Sequence, residues 1–210
     1  MQAIFDSFLN FDLSVFQWIQ SVQNEILDAL MVGITTLGNG GAVFIAIGLA
    51  LLFTKKYRKA GLAVIVALIV MLLCNDLFLK EFFARPRPFN LFETNPEKYT
   101  FWGKGYIYPE LISKPTSFSF PSGHTASAFA AAIALLWHNR KFGIPTTIFA
   151  ALMGFSRIYV EVHYCTDVIA GVISGTICAF VAVLIVKYLF PVVDKGIDRV
   201  SGKLKKKSIS

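Results

Sequence analysis

Five apolar runs divide the chain, and short polar segments separate them. The runs occupy residues 42–54, 60–79, 125–137, 142–160 and 168–190. A helix needs about 20 apolar residues to cross a bilayer; the second run has that length, and the first can gain it by tilting or by using the glycine turn before it. Charged residues make up 16% of the chain, whereas about a quarter is usual in a soluble domain. We therefore predict an all-α fold, a polytopic integral membrane helix bundle with about five transmembrane helices.

Residues 1–40 precede these runs and follow a different pattern. Between residues 8 and 23 the large apolar side chains recur at helical spacing, while Asp12 and Gln20 fall elsewhere. The apolar set is Phe8, Phe11, Val15, Trp18, Ile19 and Val22. Residues 25–37 repeat the pattern until the glycine-rich stretch 38–41 interrupts it. We predict N-terminal amphipathic helices that lie in the membrane interface.

Charge is distributed unevenly along the chain. Residues 55–59 carry four basic side chains and no acid, whereas residues 1–40 carry four acids and no lysine or arginine. By the positive-inside rule the basic segments are cytoplasmic. We thus expect a cell (inner or cytoplasmic) membrane protein with interfacial helices at 1–40, an embedded core at 41–190 with an extracytoplasmic loop 80–121, and a basic cytoplasmic tail at 191–210. The basic residues cluster at the ends of apolar runs, so the net charge of +7 does not indicate a nucleic-acid partner.

Two polar clusters at the outer ends of these runs have the composition of anion sites. The segment 80–88 contains Lys80, Arg85 and Arg87, which form either a clamp for phosphate oxygens or side chains that extend to the interface. Residues 122–124, Ser-Gly-His, open the third run. The free N–H groups of a helix start favour an anion, and glycine lets it approach closely. The alternative is a serine cap beside an interfacial histidine.

A third cluster crowds the junction between the last two runs. It contains Arg157, His163 and Asp167, and ionisable groups are costly at such a position in a membrane protein. The carboxylate four residues after His163 can hold one ring nitrogen and leave the other free to attack. Together the clusters could support phosphoryl transfer through a phosphohistidine. We expect no metal and no cofactor, because no carboxylate cluster indicates Mg²⁺ and no Cys/His spacing indicates zinc.

The three clusters resemble the motifs of the type 2 phosphatidic acid phosphatase superfamily, the lipid phosphate phosphatases. The first motif is lysine, six residues, then Arg-Pro, which fits residues 80–88 and selects Arg87 rather than Arg85. The second, Pro-Ser-Gly-His, is met at 121–124. The third, Ser-Arg, five residues, His, three residues, Asp, is met at 156–167. The resemblance covers about residues 25–190 and implies a bacterial membrane member.

The resemblance also implies a role for each motif residue. His163 would be the nucleophile, Asp167 would orient it, and His124 would protonate the leaving oxygen and then activate water. The phosphate would be held by Lys80, Arg87, Ser122, Gly123 and Arg157.

The substrate should be an amphiphilic lipid phosphate, because the site lies at the outer interface of the bilayer. Residues 85–89, Arg-Pro-Arg-Pro-Phe, resemble members that act on undecaprenyl diphosphate in cell-wall carrier-lipid recycling. The alternatives are a phosphatidylglycerophosphate or phosphatidate phosphatase of glycerolipid metabolism and a lipid-to-lipid phosphotransferase. A transporter or lipid-binding protein is the non-enzyme alternative. The position of the charges argues against it, because they lie at one face rather than through the spans. The aromatic loop 89–117 is a lid or an interfacial belt, and the sequence leaves the oligomeric state open.

Overall fold

The computed structural model describes residues 2–95, 100–101, 104–105 and 108–207, and it is helical apart from one short ladder. The helices are α1 Gln2–Val22, α2 Glu25–Leu37, α3 Ala42–Phe53, α4 Arg58–Met71, α5 Lys80–Phe83, α6 Pro88–Thr94, α7 Gly123–His138, α8 Arg140–Tyr159 and α9 Cys165–Lys207. A 3-10 turn, Asn39–Gly41, precedes α3, and a π-helical stretch, Leu72–Leu79, joins α4 to α5. An antiparallel ladder pairs β1, Thr100–Phe101, with β2, Lys104–Gly105. The expected helical class is confirmed, with this ladder as an addition.

Two helical segments in the described part of the chain are long and apolar enough to cross a membrane, Arg58–Thr94 and Cys165–Arg199. Glu25–Leu37 and Asn39–Phe53 reach that length together, but they are bent by 46° at the glycine turn between them. Helix α7 has 16 residues, and α8 carries basic residues near both ends. Length and composition thus support two or three spans, and the count of five stays a prediction.

Helix α7 is the centre of the bundle and touches α4, α8 and α9. Its inward side consists of alanines without exposed surface, among them Ala126, Ala130 and Ala134. Small residues let helices approach closely in lipid, where packing rather than hydrophobic force holds them together. A side chain at Gly175 of α9 would run into the backbone of Ala126. This packing sets the start of α7 beside the end of α4 and the start of α9.

Helix α1 packs against the bundle through a side that shares only one fully buried residue, Ile19, with the predicted apolar face. It touches α8 and α9. Phe16 and Ile19 are buried there together with Asp12, which has no exposed surface. Phe8 and Trp18, from the predicted apolar face, are about half exposed. The helix therefore turns Asp12 inward, where it has charged partners, and leaves apolar side chains outward.

Helix α9 does not end where we expected the tail to begin. It continues through Pro191 as one helix of 43 residues, Cys165–Lys207. Arg58 at the start of α4 donates hydrogen bonds to Asp194 at 2.5 Å and Asp198 at 2.9 Å. These two ion pairs hold the extension of α9 against the rest of the bundle.

The loop 80–121 lies partly beyond the described residues. Tyr99, Trp102 and Tyr106, and the side chain of Phe101, are among its undescribed aromatic groups. Phe89 and Phe92 of α6 are buried, and the ring of Phe92 lies 5.8 Å from that of Phe16 in α1. This part of the loop belongs to the core. For the rest of the loop, the two predicted roles, a lid over the lipid or an interfacial belt, both remain open.

Candidate active site

A cavity of about 300 Å³ opens where the start of α7 and the end of α8 meet the segment that follows α4. Six of the eight predicted site residues line it: Lys80, Arg87, Gly123, His124, Arg157 and His163. The other described lining residues are uncharged: Thr35, Thr36, Asn39, Ile112, Ser113, Pro115 and Ser117. Three cations and no acid among the described residues of its wall make the pocket suited to an anion.

The two remaining predicted residues, Ser122 and Asp167, lie behind the cavity wall. Ser122 is buried and is the N-cap of α7, and its hydroxyl lies 2.9 Å from the Thr125 hydroxyl. Its backbone N–H donates to the carbonyl of Asp167 at 3.1 Å. The structure therefore places Ser122 as a cap that ties α7 to α9, and it does not place this hydroxyl among the groups around the cavity.

His163 lies in the turn between α8 and α9 with its two ring nitrogens in different surroundings. Its Nε2 is 3.3 Å from Nη1 of Arg87, on the cavity side. Its Nδ1 is 3.4 Å from Oδ2 of Asp167 and 3.5 Å from the Ser119 hydroxyl. A guanidinium only donates, so Nε2 is the acceptor and the ring proton belongs on Nδ1, facing Asp167.

Burial, aided by the positive charges of Arg87 and Arg157, holds the pKa of His163 well below its usual value. A buried imidazole without a close counter-charge on its cavity side favours the neutral form. His163 is thus an uncharged imidazole whose Nε2 carries a lone pair, and this is the state that a nucleophile requires.

Arg85 and Arg87 have separate positions although both are buried. Arg87 lines the cavity and donates to the carbonyl oxygens of Ser117 at 2.7 Å and Val162 at 2.8 Å. Arg85 lies behind the cavity, where it pairs with Asp167 at 2.6 Å. Of the two arginines, only Arg87 lines the cavity, and its contact with phosphate stays a prediction. Arg85 has a structural partner that the spacing did not predict.

Two further cations contribute to the wall. Lys80 pairs with Asp76, one turn earlier, at 2.7 Å. Arg157 donates to the hydroxyl of Thr35 at 2.5 Å, while its Nε is buried and has no hydrogen-bond partner among the described residues. A buried donor without an acceptor is costly, and a bound phosphate oxygen would supply one.

His124 occupies the first turn of α7 and is partly buried. Its Nε2 lies 3.1 Å from Oδ1 of Asn39, so the ring donates to this amide oxygen. Gly123 precedes it, and a Cβ there would lie 2.7 Å from Asp76 and 3.0 Å from Lys80. The glycine therefore makes room for the lysine beside the helix start.

An apolar cavity of about 430 Å³ adjoins the first and shares Lys80, Gly123 and His124 with it. It continues between α3 and α4. Its apolar lining is Ile45, Ile65, Leu68, Ile69, Met71 and Leu72. A charged head and a hydrocarbon chain of one ligand could thus lie side by side.

Three residues that the motifs did not include contact predicted site residues, and a fourth, Asp12, contacts Arg85 behind them. Ser119 hydrogen-bonds to Oδ2 of Asp167, Asn39 to His124, and Thr35 to Arg157. Asp12 gave a usable signal, an acid within an amphipathic helix, whereas the other three are ordinary polar residues. Among the residues that the structure describes, no group of three or more His, Cys, Asp or Glu side chains is placed to hold a metal ion.

Comparisons with known proteins point to one family. The profile described as the PAP2 superfamily matches residues 59–191. The chain is 33% identical over 190 residues to undecaprenyl-diphosphatase BcrC of Bacillus subtilis, across 89% of this chain and 91% of that protein. It is 33% identical over 178 residues to an undecaprenyl-diphosphatase of Sulfolobus acidocaldarius, across 84% and 79%. The crystal structure of a PAP2-type phosphatidylglycerolphosphate phosphatase from Bacillus subtilis matches with a TM-score of 0.63 at 26% identity and covers 84% of each chain.

Proposed function

This chain belongs to the PAP2 superfamily, and on that basis we propose that it is a metal-independent membrane lipid phosphatase that hydrolyses undecaprenyl diphosphate. The observation that carries the proposal is His163, whose unprotonated Nε2 faces a cavity walled by Lys80, Arg87 and Arg157. The apolar cavity beside it would accept a hydrocarbon chain. Two relatives named undecaprenyl-diphosphatase favour the diphosphate as substrate.

In the first half of the reaction, Nε2 of His163 attacks the terminal phosphorus. The bond between this phosphorus and the bridging oxygen breaks as the phosphorus–nitrogen bond forms. His124 gives its proton to the leaving oxygen, and the negative charge of the bound phosphate favours a protonated His124 beforehand. Lys80, Arg87 and Arg157 stabilise charge on the equatorial oxygens, and Asp167 holds Nδ1–H of His163.

In the second half, water attacks the phosphorus of the phosphohistidine. His124, now neutral, takes the proton from this water as the phosphorus–nitrogen bond breaks. Inorganic phosphate leaves, and His163 returns to its neutral form. The acceptor is water in this scheme; a second lipid in the same place would make the enzyme a phosphotransferase.

The proposal includes the placement of the site in the membrane. The basic segment 55–59 and the turn before α8 lie at the ends of α4 and α7 opposite to the cavity. The positive-inside rule then puts those ends in the cytoplasm and the cavity on the extracytoplasmic face of the cell membrane. With α2–α3, α4, α7, α8 and α9 as five spans, the basic C-terminus is cytoplasmic.

A glycerolipid phosphatase is the second candidate, because a solved relative is named a phosphatidylglycerolphosphate phosphatase. The same cations would hold its phosphomonoester, so the two candidates differ in the lipid rather than in the chemistry. A transporter has less support, since the described charges around the cavity are confined to one end of the bundle.

The test is phosphate release by the purified protein in detergent with excess chelator. We expect release from undecaprenyl diphosphate to exceed release from phosphatidylglycerophosphate and phosphatidate. His163→Ala should lower kcat by more than about 10³-fold, whereas His138→Ala, at the other end of α7, should leave it unchanged. Full activity of His163→Ala would refute the phosphohistidine, a requirement for Mg²⁺ would refute metal independence, and preference for a glycerolipid would select the second candidate.

A further inference from the structure

Asp167, the carboxylate behind His163, is held by groups from three separate parts of the chain. Its Oδ1 accepts from Nη1 of Arg85 at 2.6 Å. Its Oδ2 accepts from the backbone N–H of Tyr164 at 3.0 Å and from the hydroxyl of Ser119. The orientation of Asp167 towards His163 therefore depends on where Arg85 is placed.

Arg85 is shared with a second buried carboxylate, Asp12 of α1. Its Nη2 donates to Oδ2 of Asp12 at 3.0 Å. The backbone N–H and hydroxyl of Thr166 donate to Asp12 at 3.0 and 2.7 Å. The guanidinium also lies 3.7 Å from the ring centroid of Tyr164. Asp12, Arg85 and Asp167 are each at most 3% exposed, so water screens none of these contacts.

The charges in this group do not cancel. With both carboxylates ionised, the single cation Arg85 leaves the trio with a net negative charge. A neutral His163 becomes cationic when its Nε2 bonds to phosphorus and Nδ1 keeps its proton. The trio thus holds a counter-charge directly behind the ring that becomes positive, whereas Arg85 and Asp167 alone would be neutral overall.

We propose that Asp12 is a positioning residue of the active site: it holds Arg85 and offsets its charge, so that a net negative charge remains behind the phosphorylated His163. The inference rests on the proposed function. It gives α1 a part in the reaction, although α1 precedes the matched family region and contributes no described residue to the cavity wall.

The direct test compares Asp12→Asn with Asp12→Glu in the full-length protein, using farnesyl diphosphate as a short-chain probe. Asp12→Asn keeps the size of the side chain but removes the charge, and we expect kcat to fall about tenfold. KM should change less than about twofold, because Asp12 does not reach the phosphate. Asp12→Glu should retain more activity than Asp12→Asn, since it keeps the charge. An unchanged kcat in Asp12→Asn would overturn the inference.

A double-mutant cycle separates an action through Arg85 from a structural role of Asp12. It compares Asp12→Asn in the unsubstituted protein with Asp12→Asn in an Arg85→Gln background. We expect the loss of kcat caused by Asp12→Asn to be much smaller in the Arg85→Gln background, because Asp12 then has no cation to hold or to offset. An equal loss in both backgrounds would overturn the inference, and this comparison also decides the case if Asp12→Asn is less stable, since lost stability would act in both.

Asp28→Asn is the matched control for the docking of the N-terminal helices. Asp28 accepts a hydrogen bond from the hydroxyl of Tyr159 at 2.6 Å and, among the described residues, makes no hydrogen bond to Asp12, Arg85 or Asp167. Its kcat should stay within about twofold of the unsubstituted protein. An equal loss in Asp28→Asn and Asp12→Asn would mean that helix docking alone matters. An inactive unsubstituted protein would refute the proposed function instead, so the two failures are distinguishable.

Discussion

At the scale of single residues, the site depends on what lies behind and beside the groups that face the cavity. In the part of the chain that the structure describes, Arg157 Nε has no acceptor and Nε2 of His163 has only a weak donor at 3.3 Å. Gly123 leaves just enough space for the ion pair of Asp76 and Lys80. The cations are therefore set in place before an anion arrives, which is the arrangement that electrostatic catalysis requires.

Gly123→Ala should weaken phosphate binding. The new Cβ would lie 2.7 Å from Asp76 and 3.0 Å from Lys80, so the pair must move away from the start of α7. We expect KM to rise about tenfold, equivalent to about 1.4 kcal/mol of lost binding. Steady-state kinetics will measure it, and Gly33→Ala is the control because a Cβ there meets nothing within 4 Å. An unchanged KM in Gly123→Ala would show that Lys80 does not hold the phosphate.

The lowered pKa of His163 predicts the pH dependence of both rate and stability. Burial is the main cause, so the neutral nucleophile persists in the folded protein below the usual histidine pKa of about 6.5. We therefore expect no loss of kcat/KM attributable to His163 between about pH 7.5 and 6.5. The unfolded chain binds the proton more readily, so stability is fully present above about pH 6.5 and declines below it.

Thermal unfolding of the unsubstituted protein and His163→Asn from pH 8 to 5 tests the stability half of this prediction. The difference between the two proteins isolates His163, because all other groups titrate in both. The unsubstituted protein should lose Tm relative to the variant as the pH falls. A constant difference across the range would contradict a lowered pKa.

At the scale of elements, the sequence predicted site residues whose pattern lies within one segment. It did not predict residues whose role depends on contacts between two distant segments. The spacing within 80–88, 121–124 and 156–167 predicted six residues that line one cavity. Asp12 and Ser119 could not be assigned in this way, because their contacts join distant segments and neither belongs to a motif. The continuation of α9 past Pro191 was missed because proline usually ends a helix pattern, whereas the ion pairs of Arg58 hold this one.

The packing of α9 on α7 gives the second prediction at this scale. A side chain at Gly175 meets the backbone of Ala126, so Gly175→Val must separate the two helices. We expect a loss of about 2 kcal/mol in the free energy of unfolding, as is usual for overpacking. Activity should fall with it, because α9 carries Asp167. Urea unfolding will measure the change; Gly196→Ala, with nothing within 4 Å of its Cβ, should have almost none.

At the scale of the whole molecule, the proposed orientation makes one prediction about accessibility. Thr116 and Lys56 are both exposed but lie at opposite ends of the bundle. Both substitutions are made in a variant of the protein that lacks its three native cysteines. In intact cells, a membrane-impermeant maleimide should label Thr116→Cys and not Lys56→Cys. Disrupting the cells should make both label equally. The reverse pattern would place the cavity in the cytoplasm and would be incompatible with recycling at the outer face.

The wall of cations around the cavity also bears on how the reaction cycle ends. In the proposed mechanism inorganic phosphate, the second product, would meet the same three cations and the same Arg157 Nε as the substrate, but it lacks a chain that the bilayer could draw away. When this ion leaves, the positive charges of the cations are no longer neutralised and repel each other again. We therefore expect phosphate release, rather than bond cleavage, to limit turnover. Asp76 is the one described acid paired with them, and by holding Lys80 it lowers the cost of emptying the site.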